Sequence, residues 1–438
     1  MTPQTPPASG VRAGHDANAS EAPAAPEAEC AVSAGFSARL GADRCPGALR
    51  PFAAEDGLIV RARVPGGEVA LGTLRTLLQI GADYGTPRIQ LTTRGNLQVR
   101  GLPDPLPDDV AERLADAGLL PSLTHERARN ILAAPSSAVL RERARELDRM
   151  LISRPELAGL PGRFLMLLTD TSGLGLDERF DVAYVDAGDG SGVLLLGRAD
   201  SVAGPGVGRG VSDRQRGNNP AVEEDPRRAT HSPLRLGRVV SSDEALGAML
   251  DVAAQFLAER ADERVWNIRD LPESSPLCGS FAQAEVPGDP AGATLSPGVY
   301  GADLVAGIPL GLLEAAHLNA MESVTEHVVI TPWRSVLVPG GAAYDAQLAA
   351  AGLIVDDTSA WGRISACTGA PYCGRAQSET LSLARECAET IGSKLPRLHL
   401  VGCERRCGEP RGEHVTVVSA ESVVDVRAAI AVSSVTSD

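Results

Sequence analysis

The chain has 438 residues, 43% of them hydrophobic and only 3% aromatic, so it can bury two or three cores built mainly from Leu, Val, Ile and Ala. Its formal charge of -15 argues against nucleic acid and against an anionic membrane as the main partner, because phosphate binding needs a net basic face. An acidic ligand would have to meet a local group of arginines. Of the 41 basic residues only Lys394 is a lysine, a usage that a GC-rich genome explains more simply than ligand binding does. No apolar stretch approaches the roughly 20 residues of a membrane span, and the N-terminus lacks a secretory pattern, so a cytoplasmic enzyme is expected.

In chain order, residues 1–43 read as a disordered tail rich in Ala, Pro, Ser and Glu. Residues 44–107 read as a small ferredoxin-like half-domain. Its segment Leu71 to Gly101 lies over Leu310 to Gly340 at a constant offset of 239 without a gap. Each copy reads as a helix and two strands: Leu71, Leu74, Leu77 and Leu78 have helical spacing, and the later apolar residues alternate. Residues 108–270 form a first α/β unit, with helices from Ser136 to about Ser153 and from Asp243 to about Ala261. Phe164–Thr169 and Val193–Leu196 are its buried strands, and 204–233 is a flexible insertion without periodicity. The second half-domain spans 271–345. A second α/β unit spans 346–430, with a helix from Gly374 to about Gly392 and a strand at Leu398–Val401, before a tail at 431–438. The fold class expected is α+β, in two duplicated halves.

Five of the eight cysteines lie in that last unit, and four of them form two pairs: Cys367 and Cys373 with five residues between, then Cys403 and Cys407 with three between. Four thiolates in two pairs hold either zinc or a four-iron, four-sulfur cubane. The gap between Cys367 and Cys373 fits zinc poorly, since zinc pairs favour two to four intervening residues. Gly369, Gly374, Gly402 and Gly408 let backbone N–H groups approach inorganic sulfide, which favours the cubane. Cys387 lies on the apolar side of its helix and reads as a packing residue. Cys30, Cys45 and Cys278 have no ligand spacing. The seven histidines include no facial-triad pair, and His399, alternating with Leu398 and Leu400, reads equally well as a strand-surface residue.

The spacing of these cysteine pairs resembles the sulfite and nitrite reductase superfamily, whose members carry a cubane beside a sirohaem. Cys367-Thr-Gly-Ala-Pro-Tyr-Cys373, Leu398-His-Leu-Val-Gly-Cys403 and Thr331-Pro-Trp-Arg334 look most like its precorrin-3B synthase branch. So do Arg44-Cys-Pro-Gly47, Leu91-Thr-Thr-Arg-Gly-Asn96 and Leu160-Pro-Gly-Arg-Phe164. The resemblance covers about Arg44 to Arg411 outside the insertion. It implies halves that each join a ferredoxin-like half-domain to a reductase-like α/β domain, and a cubane on Cys367, Cys373, Cys403 and Cys407. It also implies a tetrapyrrole site drawing on Arg94, Arg129 and Arg163, the last standing where the family has lysine. Asn96 and Asn130 are further candidate donors to a carboxylate, or turn stabilisers. Arg94 sits in a turn where an exposed arginine is ordinary, and Arg334 aligns with Gly95, so it reads as a cap of its strand.

Two residues beyond Arg163 the reductases have a second lysine that helps protonate sulfite or nitrite; here Leu165 stands there. Loss of that cation suits a different ligand in the same cavity. The branch implies precorrin-3A and O2 as substrates, a mononuclear non-haem iron, and an external electron donor. No dinucleotide fingerprint is present, so NADH would act through a separate reductase or a ferredoxin. The rival reading is a nitrite or sulfite reductase, in which sirohaem would be bridged to the cubane by Cys407.

Overall fold

The computed structural model describes residues 43–197, 235–272, 274–288, 292–392, 395–410 and 414–435. The expected tail up to residue 42 and the expected insertion at 204–233 lie outside them. Among the described residues no helix is long and apolar enough to cross a membrane.

The period-two strands and the Leu-striped helix of the first repeat form as the sequence predicts. Phe52–Ala54, Gly57–Ala62, Leu97–Leu102 and Ile89–Leu91 make an antiparallel sheet, backed by the helix Leu71–Tyr84 with Leu71, Leu74, Leu77 and Leu78 buried. The second repeat gives the sheet Gly298–Tyr300, Asp303–Gly307, Ser335–Val338 and His327–Ile330. The sheets then exchange edges: Leu312–Leu313 adds to the first beside Ile89–Leu91, and Glu68–Ala70 adds to the second beside His327–Ile330. One core results, with Leu74, Leu77 and Val99 packed in the same cluster as Leu304, Leu318 and Val336. The main core is therefore shared by the two halves, because each closes the other's sheet.

The gapless repeat holds for the strands but not for the helix. In the second copy the helix is Ala315–Glu322, 8 residues against 14, and Leu310 lies in the short turn before the exchanged strand. Forming that strand consumes the residues that begin the helix in the first copy.

The larger units are two further sheets. Ala282–Ala284, Arg235–Ser241, Ser191–Leu196, Val182–Asp186, Met166–Asp170 and Ile131–Ala133 form a mixed sheet of six strands. Against it pack the helices Ala138–Ile152 and Ser242–Glu259, capped by Ser137 and Ser241. The last sheet is parallel, Ile364–Ala366 beside Leu398–Val401 beside Val415–Val418, with the helices Thr380–Ile391 and Val423–Val435. Two expectations change here. The helix expected from Gly374 starts at Thr380, because the preceding backbone is committed elsewhere: Ala376 N–H donates to Cys373 and Gln377 N–H to the Gly402 carbonyl. Residues 431–435, expected in a tail, continue the final helix.

Candidate iron–sulfur site and arginine pocket

A parallel sheet carries its functional loops at the carboxyl ends of its strands, and the cysteines follow that rule. Ala366 pairs with Leu400, so Cys367 and Cys403 leave neighbouring strands at the same end. Cys367 N–H donates to the Leu400 carbonyl, and Gly402 N–H donates to Cys367 Sγ at 3.3 Å. A Cβ at Gly402 would lie 2.5 Å from that of Ala376, so only glycine lets the loops approach. Gly369 has φ +68°, and its Cβ would lie 2.3 Å from Thr380 Oγ1. Cys367, Cys373 and Cys403 are half-buried and Cys407 is exposed. The Cys407 thiol is pushed up mainly by burial; Arg405 pulls it down, and the other three thiols push it up again.

Among the described residues no three His, Cys, Asp or Glu side chains close on one point as a single metal ion requires. A lone zinc draws each thiolate to about 2.3 Å from one centre, whereas a cubane puts a separate iron under each thiolate and so needs them further apart. Three thiols near enough to act on Cys407, a backbone N–H aimed at one sulfur and obligatory glycines fit a cubane. The described residues supply no comparable set for a mononuclear iron.

His399 is buried rather than on a strand surface, as are all four residues of its strand. Its Nε2 meets the Cys407 carbonyl at 3.2 Å and its Nδ1 the Ser365 hydroxyl at 2.8 Å. A carbonyl only accepts, so Nε2 carries the proton and Nδ1 accepts from Ser365. Burial, with Arg334 nearby, pushes this histidine down to about 4. It is a neutral strut under the Cys407 loop.

The expected substrate residues divide. Arg94 donates to the Arg163 carbonyl at 2.5 Å. Arg163 donates to Asp43 at 3.1 Å and lies 4.9 Å over the ring of Trp266. Arg129, by contrast, is buried in a two-point pair with Asp148, at 2.8 and 2.7 Å, so its charge is already answered. Asn96 donates to Asn130 at 2.9 Å, and Asn130 donates to the Phe164 carbonyl at 3.2 Å. These three residues hold the walls of the site and present no free group to a ligand.

Two arginines that sequence reasoning missed lie near Arg94. Arg61 and Arg63 stand two apart, on one side of their chain segment. Arg61 donates to Gln98 Oε1 at 2.8 Å, and Gln98 donates to Gln90 at 3.1 Å. That row leads to a cleft lined by Gln98, Gln90, Arg88, Arg100, Thr368 and Tyr372, against the first cysteine loop. Arg63 is 1% exposed; it donates to the Gly162 carbonyl at 3.2 Å, while its Nε and Nη1 are buried without a partner. Burial first, and then Arg61, push Arg63 down to about 9, Cys45 holding it up and Arg94 adding to the fall. Burial also pushes Arg61 down, with Arg94 and Arg163 contributing. Arg63 thus lies buried in the field of Arg61 and Arg94, only partly offset by Cys45 and Asp43, and a buried cation with two N–H groups unpaired is costly. The signal in the sequence was Arg61-Ala-Arg63 before Pro-Gly-Gly.

Asp181 props the wall that carries Arg163. It accepts from Leu165 N–H at 2.9 Å, Asn267 Nδ2 at 2.9 Å and Ile268 N–H at 2.7 Å. Burial still pushes its carboxyl up to about 6, against these donors. The folded state therefore holds this proton more tightly than the unfolded chain, and the associated stability is lost as pH rises from about 4 through about 6. In Asp181→Asn an amide NH2 must face one of those donors, so stability at neutral pH should fall by about 1–3 kcal/mol and the slope between about pH 4 and 6 should flatten. Urea unfolding across that range checks both.

The profile of the nitrite/sulfite reductase ferredoxin-like half domain matches residues 52–117. Among solved structures, the NirA protein of Mycobacterium tuberculosis has the same fold, with a TM-score of 0.56 and 20% identity, over 79% of this chain and 68% of that one. Together with the relative described next, these findings support placing the chain in the nitrite and sulfite reductase superfamily. A curated protein named precorrin-3B synthase, from Sinorhizobium sp, is 24% identical over 418 residues, 89% of this chain and 83% of that protein.

Proposed function

We propose that the chain is a cytoplasmic precorrin-3B synthase of aerobic cobalamin biosynthesis. In this reading it is a monooxygenase that uses O2 to hydroxylate precorrin-3A at C20, with closure of the ring A acetate to a γ-lactone. The observation that carries this reading is Arg63 itself, buried with two N–H groups unanswered in the field of Arg61 and Arg94. A polycarboxylate tetrapyrrole would supply anions beyond the single carboxylate of Asp43, with Arg63 and Arg61 as its innermost donors.

Leu165 supports the same reading. It is 1% exposed and packs with Leu132 and Leu167, so no cation or proton donor stands where the reductases have lysine. Cys367, Cys373, Cys403 and Cys407 would hold the cubane, which when bound supplies single electrons from an external donor, a ferredoxin or an NADH-dependent reductase. Gln98 and Gln90 orient polar edges of the bound ring system, and Trp266 holds the Arg163 guanidinium in place.

Protein made in cells that produce sirohaem should show cubane absorbance without the sharp bands of an isobacteriochlorin. Stoichiometric sirohaem, with reduction of nitrite or sulfite by a reduced viologen dye, would instead assign the chain to the reductases.

A further inference from the structure

Arg334 lies outside the cysteine loops in sequence but reaches the end of the second one, and the tetrapyrrole reading leaves it unused. It lies in the turn Thr331–Ser335, the counterpart of Thr92–Asn96. Thr331 N–H donates to the Ser335 carbonyl at 3.0 Å, as Thr92 N–H does to Asn96 at 2.9 Å. Gly95 in the first turn has φ +62°, and Arg334 in the second has φ +58°. That backbone suits glycine and costs another residue about 1 kcal/mol or more. The side chain crosses two glycines that make room for it. A Cβ at Gly311 would lie 3.0 Å from Arg334 Cδ, and one at Gly408, next to Cys407, would lie 2.8 Å from Nη2.

Among the described residues the guanidinium makes no hydrogen bond or ion pair; the residue is half-buried, and desolvation pushes it down from its ordinary value. A strained backbone, two cleared glycines and an unanswered cation converge on the end of the cysteine loop. Reducing a bound cluster adds a negative charge there, and a nearby cation favours that form.

We propose that Arg334 is a positioning residue for electron entry, its charge raising the reduction potential of the cluster on the Cys407 loop. The inference rests on the cubane reading. The test is a potentiometric titration of the cluster-loaded protein, followed by the paramagnetic signal of the reduced cluster, in Arg334→Gly, Arg334→Gln and Arg334→Lys. At a fixed ambient potential, the Gly and Gln variants should show a reduced-to-oxidised ratio lower by about tenfold, a fall of about 59 mV for one electron. The Lys variant should keep most of the wild-type ratio. Arg334→Gly relieves the left-handed backbone, so its apoprotein should melt no lower than wild type.

Unchanged potentials in the Gly and Gln variants would overturn the inference, as would an equal fall in the Lys variant. Weaker precorrin-3A binding at an unchanged potential would reassign Arg334 to the substrate and overturn it too. A wild-type protein without cluster absorbance would overturn the cubane reading itself, whereas a wild-type cluster indifferent to Arg334 would overturn only this inference.

Discussion

Replacing any one of Cys367, Cys373, Cys403 and Cys407 by Ala is expected to abolish both the broad visible absorbance of the cubane and all turnover of precorrin-3A. In the proposed site the cluster would close on four thiolates from two loops, which meet because two parallel strands end side by side. Three thiolates leave one iron open to solvent, and a cluster so exposed does not survive aerobic handling. Cys387→Ala is the control. That cysteine is fully buried among Leu383, Ala384 and Leu398, and its thiol is pushed up to about 11 by burial, so it is a packing residue. Its loss should leave the spectrum unchanged and cost about 1 kcal/mol of stability. Anaerobic reconstitution followed by visible spectroscopy and iron counting checks the whole set. Loss of the cluster in Cys387→Ala with retention in Cys403→Ala would refute the ligand assignment.

Arg63→Met should move stability and affinity in opposite directions. In the free protein the substitution removes a buried cation with two unanswered N–H groups, at the cost of one hydrogen bond to Gly162. The apoprotein should therefore be as stable as wild type, or more stable by about 1–3 kcal/mol. In the complex the same change deletes a charge-assisted bond to a carboxylate, and precorrin-3A should bind about ten- to a hundredfold more weakly. Urea unfolding and a substrate titration on the same preparation separate the two effects. A destabilised apoprotein with unchanged affinity would give Arg63 a purely structural role.

What was legible in the sequence was local. Cysteine spacing, the Leu stripe of the first helix and the strand Leu398–Val401 are all set by neighbours in the chain, and the observed strand has those same bounds. What was not legible depends on distant partners. The burial of Arg63 is closed by a carbonyl 99 positions away, and the pairing of Arg129 with Asp148 spans 19. A basic residue on a strand or in a turn gives no local sign that a carboxylate elsewhere will claim it. The exchanged strands Leu312–Leu313 and Glu68–Ala70 are too short for any period to register. Alternation placed His399 opposite Leu398 and Leu400 correctly, but it could not say that the opposite face would be covered as well.

The most direct test of the central claim is a single turnover under isotopically labelled O2. Cluster-loaded protein would be mixed with precorrin-3A and a reduced one-electron donor, and the product examined by mass spectrometry. The proposed reaction consumes one O2 and two electrons, places one labelled oxygen atom in the tetrapyrrole and releases the other as water. The predicted result is one label per product molecule, lost when Cys403 is replaced by Ala. Recovery of unmodified precorrin-3A, from protein that holds sirohaem and reduces nitrite or sulfite with the same donor, would contradict it.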